Sequence, residues 1–459
     1  MLFISLQRYK LSSLIQHKII NNPLLACHVL FFIIFAVKFV VLMKRLTLFL
    51  TLTILAACGA AQPADSVNGV FKTIDTLAFA NFEADTFIFS RDTSLLIRFF
   101  SKFDSAVTYK DRNISILHIG GSHVQAGTMS HRIRQNILNT YPDFIGDRGV
   151  IFPYSAAKKC NNPIDYKINA IEPFGLTRNV LKNIDRPLGM TGIAVYTDTC
   201  AKIKVTKRDK TLSFGTDSVI LLGYPECSPI EPCLVINDNG YSPSIIDTIN
   251  NRFIYSKIEP ITDSFTIVLD ADTDNAFTVT GIILATHNNG ITFHSIGVNG
   301  ASVPSYLKCT DFERDLQLIK PDMVIFGIGI NDAAGNDFDT LVFEKNYLTL
   351  IKRFKRVNPE CAFVFITNND SYRKTGRGKY SVNHNGPLVQ QVFHKLATET
   401  SGAVWDQFEI MGGLKSMAQW QTHKLAQKDK IHFTANGYNL LGDLFFNAFM
   451  DAFYKLKIK

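Results

Sequence analysis

The sequence predicts an α/β protein whose parallel sheet is interrupted by an inserted all-β region. Two observations predict the sheet: apolar, strand-like runs alternate with segments of helical periodicity, and the strands end in polar residues. A third predicts the insertion, because residues 151–290 carry short alternating runs separated by turn-forming clusters. A chain of 459 residues is long enough for two globular units.

Residues 1–61 form a predicted targeting region. A basic start at residues 43–45 precedes an apolar run, and residues 55–58 read Leu-Ala-Ala-Cys, so residues 43–57 are a predicted signal. The site resembles the lipobox of bacterial lipoproteins, which implies lipidation of Cys58; the alternative is a plain cleavable signal. A second apolar stretch, residues 29–42, precedes Met43. We expect that the true start is Met43 and that residues 1–42 are translated upstream sequence; the alternative is a tandem anchor. We expect an exported bacterial protein, periplasmic or anchored at the outer membrane through its lipid.

The net charge does not predict a nucleic-acid partner. The formal charge is +8, but six of the 48 basic residues and none of the 40 acidic ones lie in residues 1–61. The remainder therefore has 42 basic against 40 acidic residues. The mature protein is therefore nearly neutral, so its charge does not imply a basic patch for nucleic acid, and no interleaved Arg/aromatic stretch argues for one.

The first strand and helix of the predicted sheet follow an N-terminal segment, residues 62–110, which includes a helix-compatible stretch at residues 92–103. Residues 114–119 form an apolar strand that ends in Gly120-Gly121-Ser122. Met129 and Ile133 then recur at helical spacing. This order is strand, tight turn, helix.

The second half of the chain continues the alternation. Residues 322–328 form a strand that ends in Gly-Ile-Asn-Asp at residues 329–332, and helix-compatible and strand-like segments then alternate at residues 343–357, 362–367, 388–399 and 403–405. We therefore predict one parallel-sheet domain from residues 111–150 and 291–459, covered by helices on both faces, with a β-sandwich inserted at residues 151–290.

Three residues have the chemistry of a serine nucleophile and its base. A serine hydroxyl needs a neighbouring base, and that base needs a third group to fix its tautomer. Ser122 lies at the predicted strand-to-helix turn, where free N–H groups can bind an oxyanion. Asp429 and His432, three residues apart just before a predicted helix, can supply the other two groups. Taken singly, each motif is more often a turn or a surface pair.

Taken together, these residues resemble the SGNH, or GDSL-like, hydrolases, a family with a three-layer flavodoxin-like fold. Four blocks appear in the family's order: Gly120 to Ser122, residues 297–301, residues 329–332, and Asp429 to His432. The resemblance implies an esterase that needs no cofactor and no metal. The family's usual Asp before the serine is Gly121 here, which removes a hydrogen bond that helps to hold the turn.

The resemblance also implies an oxyanion hole made by the Ser122 N–H, the Gly300 N–H and the Asn331 side-chain amide. Gly297 is a competing candidate for the glycine, since either one could be a turn residue. For Asn331 the alternative is a helix N-cap, a role that suits Asp332 better.

An insertion between the first block and the second resembles that of bacterial peptidoglycan O-acetylesterases, in which a carbohydrate-binding-like β-module interrupts the same fold. The Gly121-Ser122-His123 order is also similar. This implies an O-acetylesterase whose partner is an acetylated glycan, either peptidoglycan or another polysaccharide. Two alternatives stay open: an O-acyltransferase that moves acetyl to a glycan hydroxyl, and an inactive glycan-binding lipoprotein.

The remaining candidates are weaker. His118 and His123 are too few for a metal cluster, so core or surface roles are expected. The acidic run at residues 270–274 lacks the glycine and glutamate of a calcium loop. Cys227 and Cys233 flank a turn-forming stretch and are the one disulfide pair that we predict.

Overall fold

The computed structural model describes residues 70–457 except 158–159, 172, 210–216 and 287–288. The predicted targeting region and Cys58 lie outside the described residues. Within those described ranges, no helix is long and apolar enough to cross a membrane.

The helices, in chain order, are α1 (Ser94–Tyr109), α2 (Ser122–Gln125), α3 (Thr128–Thr140), α4 (Val303–Leu307), α5 (Phe312–Ile319), α6 (Thr340–Val357), α7 (Gly386–Thr400), α8 (Gln407–Ile410), α9 (Ser416–Thr422) and α10 (Ala435–Lys457). Short 3₁₀ turns occur at Phe82–Ala84 and Asp332–Ala334.

The strands, in chain order, are β1 (Phe87–Phe89), β2 (Asn113–Gly120), β3 (Ile145–Asp147), β4 (Val150–Ile151), β5 (Tyr166–Ala170), β6 (Gly175–Arg178), β7 (Ile193–Thr197), β8 (Ala201–Lys207), β9 (Ser218–Pro225), β10 (Cys233–Ile236), β11 (Asn239–Tyr241), β12 (Ile245–Asp247), β13 (Arg252–Ser256), β14 (Ser264–Leu269), β15 (Phe277–Ala285), β16 (Gly290–Gly297), β17 (Met323–Gly327), β18 (Ala362–Ile366), β19 (Tyr372–Gly376), β20 (Lys379–Val382) and β21 (Ala403–Trp405).

The principal sheet has the strand order β1-β21-β18-β17-β2-β16-β3. All neighbouring strands in it are parallel except β1, which pairs antiparallel with β21. The predicted α/β class with a parallel sheet is confirmed. The segments predicted at residues 343–357 and 388–399 are helices, each beginning a few residues earlier than expected.

Both faces of this sheet are covered, as expected for strands that are apolar throughout. In β17, Met323 and Ile325 belong to one hydrophobic cluster, whereas Val324 and Phe326 belong to another. The first cluster contains the buried faces of α1, α3 and α10, and the second contains those of α5, α6 and α7. Successive side chains of a strand point to opposite faces, so the three layers follow directly from this alternation.

The N-terminal segment, whose role the sequence left open, is part of the α/β domain. Strand β1 forms the edge of the principal sheet, and α1 packs against α10. Helix α1 buries Leu96, Phe99 and Phe103, which recur at helical spacing, in the same cluster as α10.

Strands β4 to β15 form two further antiparallel sheets within the predicted insertion. One has the order β11-β10-β14-β8-β5, and the other the order β12-β13-β9-β15-β7-β6, with β4 paired to β15. Buried residues from both sheets lie in one hydrophobic cluster, which continues into the α5-to-α7 face of the α/β domain. The insertion is therefore packed onto the α/β domain and shares its core.

The predicted Cys227–Cys233 disulfide is wrong, since both cysteines are free. Cys227 follows β9, and its N–H donates to the Asn275 side chain. Cys233 begins β10, which belongs to the other sheet and pairs with β14. The turn between them crosses from one sheet to the next and therefore does not bring the two sulfurs together.

Candidate active site

Three glycines end three adjacent strands at the same level. Gly120 at the end of β2 is in register with Gly297 of β16 and with Gly327 of β17. A Cβ on Gly120 would lie 2.4 Å from the Gly327 carbonyl oxygen, and one on Gly297 would lie 2.3 Å from the Gln125 nitrogen. Only glycine permits this approach, which brings the start of α2 against the carboxyl edge of the sheet.

Ser122 is the first residue of α2, immediately after the turn at Gly121. The Gly121 carbonyl accepts hydrogen bonds from the Val124 and Gln125 N–H groups, which start the helix. An added Cβ at Gly121 would lie 3.4 Å from both Ala301 O and Asn331 Nδ2. The turn is thus held by backbone hydrogen bonds where the resembling family uses an aspartate.

Ser122, His432 and Asp429 form a continuous hydrogen-bonded chain. Ser122 Oγ lies 2.7 Å from His432 Nε2, and His432 Nδ1 lies 2.7 Å from Asp429 Oδ2. The serine and the histidine are 310 positions apart in the sequence. The structure brings together all three residues that the sequence predicted for the nucleophile, its base and the orienting carboxylate.

Asp429 is held in its ionised form. Burial alone would raise its pKa, but hydrogen bonds from the His432 side chain and from the His432 and Ile431 N–H groups outweigh that effect. The net result lowers the pKa of Asp429 to about 2. Asp429 Oδ1 accepts both backbone bonds, which leaves Oδ2 for the imidazole.

Gly300 lies in the cleft beside Ser122, whereas the structure places the competing Gly297 against α2. Gly300 has a φ of 83°, a left-handed conformation that favours glycine. The turn that contains it is closed by the Ala301 N–H, which donates to Val298 O. Gln125 Oε1 also accepts from the Asn299 N–H at 2.8 Å, which fixes the peptide next to Gly300.

Asn331 lines the cleft as well, and Asp332 follows it in the chain. Asn331 makes no side-chain cap bond, and its Nδ2 donates to Ala301 O at 2.8 Å, which leaves its second N–H for a ligand. The predicted cap role of Asp332 on its own helix is wrong. Asp332 instead accepts from the Val303 N–H at the start of α4, and burial raises its pKa to about 7.

The candidate nucleophile, its base and the candidate oxyanion donors line an open cleft of about 470 Å³. Ser122, Gly300, Asn331 and His432 all contribute to it, and so does Asn161 from the inserted region. Asn161 was not predicted from the sequence, because no local pattern indicates that a residue between the first two blocks reaches this edge of the sheet.

His123 and Tyr438 are further residues that sequence reasoning did not assign to the site. His123 Nδ1 lies 2.9 Å from the Tyr438 hydroxyl, and the His123 ring packs beside His432. His118 is buried in β2 and bonds to Ser130. The position of His123 directly after Ser122 was the sequence signal that could have identified it as a site residue.

A Ser–His–Asp chain at the carboxyl edge of a parallel sheet is an arrangement that serine hydrolases use. Residues 263–440 match the GDSL-like Lipase/Acylhydrolase family, and this confirms the resemblance predicted from the sequence. The match includes Gly300, Asn331, Asp429 and His432, while Ser122 lies on the far side of the insertion. The fold, the site and this match together support an SGNH-type carboxylic ester hydrolase.

One comparison with a solved structure supports the fold. A peptidoglycan O-acetylesterase superposes with a TM-score of 0.65 and 21% identity, over 82% of this chain and 98% of that one. An acetyl xylan esterase has a TM-score of 0.27 and 19% identity, over 34% of this chain and 81% of that one. A GDSL-like lipase from Bacteroides thetaiotaomicron has a TM-score of 0.27 and 15% identity, over 36% and 77%. A comparison with curated proteins found no match.

Proposed function

We propose that the protein is an exported esterase that removes O-acetyl groups from a glycan through an acyl-enzyme on Ser122. The observation that carries this proposal is the aligned chain from Ser122 Oγ through His432 to Asp429, with both hydrogen bonds at 2.7 Å. The intact chain argues against the alternative of an inactive glycan-binding protein.

In the first half of the reaction, Ser122 Oγ attacks the ester carbonyl carbon while its proton passes to His432 Nε2. Ionised Asp429 stabilises the imidazolium so formed. The Ser122 N–H, the Gly300 N–H and the Asn331 amide donate to the developing oxyanion. The intermediate collapses by breaking the bond to the sugar oxygen, which takes the proton from His432 and leaves as an alcohol.

In the second half, a water molecule gives a proton to His432 and attacks the acetyl carbon. The tetrahedral intermediate expels Ser122 Oγ, which recovers its proton from His432. The products are acetate and the free enzyme. An open cleft of about 470 Å³ leaves room for water to reach the acyl-enzyme.

Replacing Asn331 by alanine is expected to lower kcat roughly 100- to 1,000-fold with little change in KM, because a donor to the oxyanion acts mainly in the transition state. The measurement is steady-state hydrolysis of a chromogenic acetate. Asn336→Ala, which changes an asparagine outside this cleft, serves as the matched variant with native kcat expected. A kcat for Asn331→Ala within fivefold of native would remove Asn331 from the oxyanion hole.

A glycan substrate is supported by the position of the insertion, which we propose is a carbohydrate-binding-like β-sandwich. Its Asn161 lines the cleft together with Ser122 and is exposed. An exposed amide can donate to and accept from sugar hydroxyl groups. The structure that aligns with this chain over 82% of its length is of a peptidoglycan O-acetylesterase, which makes O-acetylated peptidoglycan the first substrate to test.

Asn161→Ala is expected to raise KM for the acetylated glycan several-fold and to leave the kinetics of a small chromogenic acetate unchanged. The amide contacts the sugar and not the acetyl group, so a substrate that lacks the sugar does not sense its loss. Asn239→Ala, on β11 and outside the cleft, is the matched change within the insertion. Equal effects on both substrates would place Asn161 in the acetyl site instead.

The substrate is identified by measuring acetate release from O-acetylated peptidoglycan and from acetylated plant polysaccharides. Adding unacetylated glycan fragments and following them by mass spectrometry separates hydrolysis from transfer. Acetate release without acetylated fragments supports the esterase. Acetylated fragments that depend on Ser122 would make the protein an acyltransferase.

Export and a lipid anchor on Cys58 are proposed from the sequence of residues 43–58. A mass that includes a diacylglyceryl group on the mature N-terminal cysteine, absent in Cys58→Ala, tests the anchor.

A further inference from the structure

We propose that His123 is a positioning residue for His432, whose imidazolium form it stabilises through the face of its own neutral ring. The inference rests on the proposed acyl-enzyme chemistry, since it requires His432 to carry a proton during the reaction. It assigns a role to the residue that directly follows the nucleophile.

The first support is the contact between the two rings. The centroids of His123 and His432 are 5.0 Å apart, with the ring planes inclined at 34°. Aromatic rings at this centroid separation attract each other. Asp429 bonds to Nδ1 of His432, and Ser122 bonds to Nε2. His123 makes a third contact with His432, through its ring.

The second support is that His123 is itself fixed. Its Nδ1 lies 2.9 Å from the hydroxyl of Tyr438, a residue that is 7% exposed on α10. Phe433 and Tyr438 also pack on the His123 ring, each with its centroid 5.9 Å away. A ring fixed by these contacts can in turn hold His432 in the orientation that points Nε2 at Ser122.

The third support is that His123 is neutral. Burial, and to a smaller extent the nearby His432, lower the pKa of His123 to about 3, while Asp429 opposes the shift. A charged ring at this distance would repel the imidazolium. A neutral aromatic ring instead attracts a cation that lies near its face.

A small cavity of about 40 Å³ borders the His123 ring. His123 Nε2, His118 Nε2 and Asn368 Nδ2 are buried, these residues line the cavity, and the three atoms have no protein hydrogen-bond partner among the described residues. A cavity of this size with several polar groups is suited to ordered water. Water there would satisfy Nε2 of His123 without giving it a charge.

The test compares His123→Phe with His123→Leu. Both lose the hydrogen bond to Tyr438 and the polar Nε2, and they differ in whether an aromatic face remains beside His432. With a chromogenic acetate, kcat for His123→Phe is expected to stay within about threefold of native, whereas kcat for His123→Leu falls roughly tenfold below that of His123→Phe, at the same KM. If His123 only filled space in the core, the two variants would not differ in kcat at the same KM.

Equal kcat values for the two variants, or a change in KM without a change in kcat, would overturn the proposal. His123→Gln, which also lacks an aromatic face, replaces His123→Leu if that protein does not fold. Failure of the proposed function is read separately, since it appears as equal activity of the native protein and Ser122→Ala before any His123 variant is compared.

Discussion

Ser122→Ala is expected to lose roughly 10⁵- to 10⁶-fold in kcat toward a chromogenic acetate, the largest effect of any single change in this protein. The substitution removes one oxygen atom, which lies 2.7 Å from His432 Nε2. Without it, no acyl-enzyme forms, and the oxyanion donors act only on a water-driven reaction. The thermal midpoint is expected to stay near native, because His432 is partly exposed and can bond to water instead.

A fluorophosphonate label provides an independent readout of the same residue. Mass spectrometry is expected to find the label on Ser122 in the native protein and no label in Ser122→Ala. Ser101→Ala, an exposed serine on α1 whose hydroxyl bonds to Ile97 O, should behave as native. Hydrolysis by Ser122→Ala within tenfold of native would mean that another group is the nucleophile.

Asp429→Asn is expected to lower kcat by about 10⁴-fold while keeping the shape of the loop. The asparagine oxygen can still accept the two backbone N–H groups that Asp429 Oδ1 accepts now. Its amide then faces His432 Nδ1 and donates to it. This places the imidazole hydrogen on Nε2, so the base can no longer accept the proton of Ser122.

The measurement is kcat at neutral pH, with thermal unfolding to show that the fold is kept. Because the pKa of Asp429 is lowered to about 2, native Asp429 is ionised throughout the range in which activity can be measured, and acid pH does not mimic the substitution. Because the pKa of Asp429 is lower in the folded protein than its ordinary value of 3.8, the ionised carboxylate stabilises the fold at pH values above 3.8. This contribution is lost as the pH falls through about 2.

The control is Asp143→Asn, which changes an exposed residue paired with Lys110 and should have native activity. More than a tenth of native kcat in Asp429→Asn would contradict the orienting role.

Local patterns in the sequence were sufficient for the elements of the α/β domain. Strand β2 and the glycines after it follow from an apolar run that ends in a turn, and the alternation around β17 and β18 follows from strands buried on both faces. The order of the four blocks then selected Ser122, Gly300, Asn331, Asp429 and His432, all of which border one cleft or its hydrogen-bonded chain.

Local patterns failed where the structure depended on contacts between residues that are far apart in the sequence. The turn between Cys227 and Cys233 looked local, but it passes between two sheets, so the disulfide does not form. The N-terminal segment had no readable role, because β1 pairs with β21 more than 300 positions away. In the same way, the partner of Asp332 is the start of a helix from an earlier block.

The sequence by itself determined the α/β elements and selected Ser122, Asp429 and His432 as candidates, and it predicted a region of short β-strands between the first two blocks, because each of these follows from residues that are neighbours in the chain. Only the tertiary structure decided that Gly300 and not Gly297 faces the cleft, that His123 packs on His432, and that Asn161 reaches the same cleft. The physical reason is the register of parallel strands: by aligning Gly120, Gly297 and Gly327 at one edge, it brings together residues that have no proximity along the chain.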